Sequence, residues 1–298
     1  MTYRRLVRPS EFMYLRFLGA TIINVLRLRG MVDADRFRAG VRRLQRAYPI
    51  LDSHIVTDRS GASWYEELPT PFDGAVVPRD DDDTWRGVVD GQLTDYVDIW
   101  AGPLARITLV QGADRSEIVV AESHLASDGR GLSRQLHHLL RLMADPDLEI
   151  DPIPEVYADG KTLKAARPRL TDWSMFVRYH AVDAMYRALG AAWKLTGFTM
   201  DHDDPYMTDN LLRDVVRLEW VDLPFTQDET ARLVARCRDR GVSVNSALTA
   251  AYLTIRRRLE PDLDFDRQAT TVDVRRHLPG VSADQINLLA SLVYTSFH

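Results

Sequence analysis

A single cysteine, Cys237, is the whole thiol complement of the 298 residues. Alone it can make no internal disulfide and no zinc site; in the Arg/Asp-rich stretch ARCRDRG it is expected to be a partly buried structural residue. Charge of one sign is not in excess: 38 basic against 43 acidic residues leave −5, which excludes a general nucleic-acid coat. Long hydrophobic runs are missing too. The best stretch, Phe17 to Val25, is broken by Gly19, Thr21 and Asn24, short of the ~18–20 residues that a membrane-spanning helix needs. The opening MTYRRLVRPSEF has neither an apolar core nor a small-residue cleavage site, so no secretory signal is read and a cytoplasmic protein is the expectation. Several catalytic motifs are also absent. There is no GxSxG elbow, Walker A loop, GxGxxG or HExxH, and Gly129-Arg130-Gly131 lacks the third glycine. The acidic runs Asp80-Asp81-Asp82-Asp83 and Asp201-His202-Asp203-Asp204 lack the spacing of a calcium loop. They are read as solvated loops, and no metal is assigned.

What is present has the profile of an ordinary globular chain, 45% hydrophobic and 27% charged. Ala20 to Leu28 reads as a buried strand. Met31 to Ala47 puts Phe37, Val41 and Leu44 on one helical face, with Asp33 able to cap it and Pro49 to close it. Ile50 to Thr57 and Ala62 to Glu67 read as strands. A helix follows the acidic run and ends near Ile99. Leu104 to Gln111 and Glu117 to Ser123 read as a hairpin turned around Gly112-Ala113-Asp114. Gly129 to Met143 is helical again. Asp145 to Arg169 resembles a linker and Trp173 to Leu195 a long helix. Beyond these come a strand (Val215 to Leu223), two helices (Thr226 to Arg240, Asn245 to Leu259), a strand (Gln268 to Val274) and a final strand (Leu288 to Phe297). Helices alternate with strands in both halves, which predicts a two-lobed α/β protein. The expected division is a first lobe over 1–145, a linker and crossover helix over 146–210, and the first part of a second lobe over 211–298. That second lobe reads as incomplete, its last strand calling for more sheet.

The informative segment is Ile118-Val-Val-Ala-Glu-Ser-His124-Leu-Ala-Ser-Asp128-Gly129-Arg-Gly-Leu132. A strand delivers a histidine at its C-terminal end, a turn brings Asp128-Gly129, and a helix starts at once. Strand ends at helix starts are where α/β folds place ligands and catalytic groups. A histidine there has a pKa close to working pH, and Gly129 allows a tight turn with room for a substrate. On these residues alone, a catalytic histidine and a merely satisfied turn are equally supported.

The segment resembles the HxxxDG core of the condensation-domain and chloramphenicol-acetyltransferase-like superfamily. The likeness is closest to the polyketide-associated O-acyltransferases of actinobacteria, and it extends along the chain. Arg8-Pro-Ser-Glu-Phe-Met-Tyr14 and Leu44-Gln-Arg-Ala-Tyr-Pro-Ile-Leu51 look like that family's first βα unit. Gly102-Pro-Leu-Ala-Arg106 is similar to the strand before the motif. Val242-Ser-Val-Asn-Ser-Ala-Leu248 resembles its recurring helix start, Thr271-Val-Asp-Val-Arg275 its VDLR strand, and Asn287-Leu-Leu289 the segment after it. The resemblance implies a two-lobed chloramphenicol-acetyltransferase-like fold with mixed sheets, its second lobe incomplete here, and a channel where the lobes meet.

By the same resemblance, His124 matches the catalytic histidine, a base of pKa roughly 6.5–7 that takes a proton from an acceptor hydroxyl or amine attacking a thioester. Asp128 and Gly129 complete the motif. Asp128 would pair with Arg275 and fix the loop structurally. Ser123 stands where the fuller motif has its first histidine. No bound cofactor is implied; the donor is acyl-coenzyme A or an acyl group on the phosphopantetheine of an acyl carrier protein. Arg130, Arg134, His137 or His138, and Arg141 recur at helical spacing. They read either as a basic docking stripe for the carrier or coenzyme A, or as a solvated face opposite Leu132, Leu136, Leu139 and Leu140. Trp64, Trp85, Trp100, Trp173, Phe176 and Trp193 read as core, and His180 and His202 receive no role. Three functions stay in play: thioester-dependent O-acyl transfer in lipid or polyketide-type secondary metabolism, amide-forming condensation, and a non-catalytic docking module. A separate C-terminal polypeptide or self-association would complete the second lobe; no nucleic acid and no membrane span is expected.

Overall fold

The computed structural model describes residues 3–8, 11, 14–15, 20–59, 61–153, 223–259, 266–275, 281 and 290–297. The chain divides into two compact units, Met1–Val216 with Asp273–Ala290, and Arg217–Val272 with Ser291–His298. The expected Trp173–Leu195 helix, most of the 145–169 linker and nearly all of the Val215–Leu223 strand lie outside the described residues.

The first unit holds two sheets. In one, β1 (Arg4–Leu6), β4 (Ser63–Glu67) and β3 (Ser53–Thr57) run antiparallel in the order β1-β4-β3. The other is mixed, in the order β2-β7-β6-β5. Here β2 (Thr21–Arg29), β7 (Arg115–Ser123) and β6 (Ala105–Gln111) are antiparallel, while β5 (Ala75–Pro78) lies parallel to β6. The β6–β7 hairpin is the expected one. The two shortest strands, β1 and β5, have too few residues to show a period and were not legible in the sequence.

Two helices pack together against β7. In α1 (Ala34–Ala47), the Asp33 carboxylate accepts from the Arg36 amide at 2.8 Å and sets the start. Phe37, Val41 and Leu44 are buried on its inner face, as their spacing predicts. In α3 (Gly129–Ala144), Leu132, Leu136 and Leu139 do the same. These side chains meet Ile118 and Val120 of β7 in one core cluster, each burial stabilising by about 1.5–3 kcal/mol. The opposite face of β7 carries Val119, which packs with Val110 and with Val89 of α2 (Thr84–Thr94). Every residue of β7 from Ser116 to Ser123 is buried.

Two boundaries are corrected. Ile50 to Asp52 lie in a short 3-10 helix (Pro49–Asp52), so the expected Ile50–Thr57 strand starts at Ser53. The helix after the acidic run stops at Thr94, not near Ile99. Asp95 leaves helical geometry because the Arg106 guanidinium takes both its carbonyl and its carboxylate, and the Tyr96 carbonyl as well. Asp98 then turns the chain, accepting from the Trp100 and Ala101 amides. Val97 and Ile99 are core residues all the same, which is why the apolar pattern ran on past the helix.

In the second unit, α4 (Gln227–Asp239) opens with a capping box between Thr226 and Glu229 and buries Cys237. It is followed by α5 (Val244–Leu259) and by the strand pair β8 (Asp266–Asp273) and β9 (Ala290–Phe297). No helix among the described residues is long and apolar enough to cross a membrane.

Candidate active site

β7 lies between β2 and β6, and its last residue, Ser123, immediately precedes the histidine. The Ser123 amide donates to the Leu104 carbonyl (2.9 Å), and the His124 amide to the Ala20 carbonyl (2.8 Å). The backbone is therefore tied on both sides up to the point where the loop begins. Ser123, at the first histidine's position in the fuller motif, is buried and its hydroxyl accepts from the Leu125 amide at 3.3 Å.

The His124 ring is half-buried. Its Nδ1 contacts the Ser127 carbonyl oxygen at 3.1 Å. A carbonyl only accepts, so Nδ1 carries the proton and Nε2 holds the free lone pair. Burial lowers the imidazole pKa below its ordinary 6.5, partly offset by the Ser127 carbonyl and the Asp128 charge. This corrects the expected 6.5–7: desolvation disfavours the imidazolium, so the ring is a neutral base at pH 7. Tyr14 stands over it, ring centroids 5.1 Å apart and tilted by 32°. Burial and then the Asp128 charge raise the Tyr14 pKa, so it is a neutral phenol.

Asp128 serves the helix start and a buried arginine. It is the N-cap of α3, accepting from the Gly131 amide at 2.9 Å. Its two oxygens also accept from the two terminal nitrogens of Arg275, both at 2.9 Å, with each side chain 3% exposed. Arg275 donates further to Asp273 (3.1 Å), and Asp273 pairs with Arg130 (3.3 Å). The loop that carries His124 is thus anchored through four charges in alternating sign.

Gly129 does less than expected. It is the first residue of α3, has no positive φ, and a Cβ there would meet nothing within 4 Å. Neither the turn nor the protein's own packing requires glycine, because the Asp128 cap already redirects the chain.

On α3, Arg130, His137 and Arg141 are exposed and Arg134 is half-buried. His138 belongs to the other face: it is buried and its Nδ1 hydrogen-bonds the Tyr48 hydroxyl at 2.7 Å. Of the two histidines only His137 joins the basic stripe, since adjacent helical residues diverge by ~100°. Arg130 is engaged by Asp273. Trp64, Trp85 and Trp100 are half-buried, Trp85 and Trp100 packing against the core clusters; Arg4 stacks on Trp64 and both Arg27 and Arg86 on Trp85. Trp173, Phe176, His180, Trp193 and His202 lie outside the described residues. No group of three or more His, Cys, Asp or Glu among the described residues could hold a metal ion.

Two residues near His124 escaped the sequence reading. Tyr14 is remote in sequence and carries no local signal. Glu122 sits in a strand otherwise full of apolar residues, and that contrast was the available clue.

The mixed sheet, the motif at the end of its central strand and the α3 start define the architecture: this is the fold of condensation domains and chloramphenicol-acetyltransferase-like enzymes. Among solved structures, the condensation domain of the monacolin K polyketide synthase MokA matches with a TM-score of 0.64 at 14% identity, over 99% of this chain and 68% of that one. Polyketide synthase associated protein 5 from Mycobacterium tuberculosis matches with 0.60 at 14%, over 99% and 67%. TRI101 from F. graminearum, complexed with ethyl coenzyme A, matches with 0.56 at 14%, over 100% and 70%. The chain spans about two thirds of the length of these structures. No family model and no curated protein sequence matches it.

Proposed function

We propose that the chain carries the histidine of a thioester-dependent acyltransferase, which moves an acyl group from coenzyme A or a carrier-protein phosphopantetheine to an alcohol. The observation that carries this reading is the 3.1 Å approach of His124 Nδ1 to the Ser127 carbonyl oxygen, which sets the tautomer. With Nδ1–H held by the Ser127 carbonyl, Nε2 accepts the proton of the acceptor hydroxyl as its oxygen attacks the thioester carbonyl. The carbon–sulfur bond then breaks, and Nε2 returns the proton to the departing thiolate, giving ester and free thiol. The depressed pKa keeps Nε2 unprotonated at pH 7. An amine acceptor would use the same lone pair, so amide formation differs only in the acceptor. The likeness to a polyketide synthase associated protein, and to a protein complexed with ethyl coenzyme A, supports a thioester donor.

The test is thiol release from acyl-coenzyme A and from acylated carrier protein, each with an alcohol acceptor. His124→Ala is expected to lower turnover by about 10²–10⁴-fold with folding unchanged, the usual contribution of a general base. In the active protein, kcat/KM is expected to fall on the acid side with an apparent pKa under the ordinary 6.5. Turnover that survives His124→Ala would overturn the reading. Carrier binding with no turnover at all would leave the docking-module reading.

The donor's phosphates or acidic carrier surface fit the α3 stripe. Arg134→Ala/Arg141→Ala, which spares the Arg130–Asp273 pair, is expected to raise KM for the donor by about threefold or more. This effect shrinks as salt rises, with kcat little changed. An unchanged KM at low salt would make the stripe a solvated face.

A further inference from the structure

Glu122 lies two residues before His124, on the face of β7 that carries Ile118 and Val120, with no solvent exposure. Its Oε2 accepts from the Ser127 hydroxyl at 2.5 Å and from the Gln135 amide of α3 at 3.5 Å. Its Oε1 has no hydrogen-bond partner among the described residues. Ser127 and Gln135 are themselves buried. Ser127 is the residue whose carbonyl receives the His124 Nδ1–H. One serine therefore joins a buried carboxyl, through its side chain, to the imidazole, through its backbone.

The surroundings of Glu122 make this costly as mere structure. Among the described residues its side chain hydrogen-bonds only to the neutral Ser127 and Gln135, and the nearby charge is that of Asp128, of like sign. Among the described residues no cation lies within ion-pair distance of it. Burial raises its pKa to about 8, with the two hydrogen bonds opposing and the Asp128 charge adding. At pH 7 it is a neutral acid. An apolar side chain of similar size would fill the same space without leaving an orphaned oxygen.

We propose that Glu122 is a positioning residue for His124: by holding the Ser127 hydroxyl it orients the Ser127 carbonyl, which fixes the imidazole as the Nδ1–H tautomer with Nε2 open. The loop is then gripped at two adjacent residues, Ser127 by Glu122 and Asp128 by Arg275, and the histidine hangs from the first grip. The inference rests on the acyl-transfer reading for its purpose, but its geometry can be tested without turnover.

The experiment is nitrogen NMR of the full chain labelled in histidine, with the His124 resonances assigned by their loss in His124→Gln. In the unaltered chain at pH 7, His124 is expected in the Nδ1–H tautomer, with a second inflection in its shifts near pH 8 as Glu122 ionises. Glu122→Gln keeps the size and an acceptor oxygen; it should keep the tautomer and lose the inflection. Ser127→Ala removes the hydroxyl but leaves the carbonyl, and should lower the Nδ1–H to Nε2–H ratio at least about threefold. An unchanged tautomer ratio in Ser127→Ala, or an inflection that persists in Glu122→Gln, would overturn the proposal. Absence of acyl transfer in the unaltered chain would leave these NMR outcomes intact and would count only against the acyltransferase reading.

Discussion

Asp128→Ala is expected to cost about 3–5 kcal/mol of folding stability, and to lose activity through that cost. The carboxylate makes two parallel hydrogen bonds to Arg275 at 2.9 Å, both side chains being 3% exposed. Removing it strands a buried guanidinium. Asp273 remains 3.1 Å from Arg275 and softens the penalty, while loss of the α3 cap to the Gly131 amide adds about 1 kcal/mol. Asp128→Asn should fall between: it keeps an oxygen for the cap and gives up the charge. Asp128→Ala/Arg275→Met should recover part of the loss, because no charge is left without its partner. Urea unfolding of the four proteins measures all of this. A single Asp128→Ala variant that unfolds like the unaltered chain, keeps the loop ordered and yet does not turn over would give Asp128 a direct role in the chemistry instead.

Glu122→Gln should produce the second large effect, visible only against pH. In the unfolded chain this carboxyl ionises around its ordinary 4.5; in the fold, burial raises it to about 8. Between those values the native state retains a proton that the unfolded state has released. Stability is therefore lost as pH rises through the window, at about 1.4 kcal/mol per pH unit. The contribution is whole below pH 4.5 and spent above pH 8. Glutamine has no proton to hold, so from pH 5 to pH 8 the variant should gain about 4 kcal/mol relative to the unaltered chain. Denaturation midpoints of both proteins across that range check it. Parallel curves would mean that Glu122 is ionised in the fold.

Much of the fold was legible because its signals are local. The Asp33 cap and the Phe37-Val41-Leu44 spacing specify α1 within a dozen residues, and Gly112-Ala113-Asp114 marks the β6–β7 turn. The order strand, His124, Asp128-Gly129, helix was equally plain. The errors arise where tertiary partners override a pattern. The apolar run through Val97 and Ile99 looked helical, but Arg106 captures the Asp95 and Tyr96 carbonyls and ends the helix early. His137 and His138 were interchangeable until Tyr48 claimed one of them. Gly129 reads as easing a tight turn, yet Asp128 makes that turn unaided. Tyr14 and Glu122 reach His124's surroundings through space and through Ser127, and neither route leaves a spacing in the chain.

The amides of Ser123 and His124 are each clasped by a neighbouring chain, Leu104 on one side and Ala20 on the other. This settles which motions the histidine has available. Loops that open on the microsecond scale usually do so where backbone groups face water; here the backbone beneath the ring moves only when its bonds to Leu104 and Ala20 break. What remains is rotation of the imidazole about its own side-chain bonds, and the Ser127 carbonyl biases even that toward one orientation. The ring is a mounted tool rather than a swinging one. A substrate would have to come to Nε2, because Nε2 has little freedom to go to the substrate.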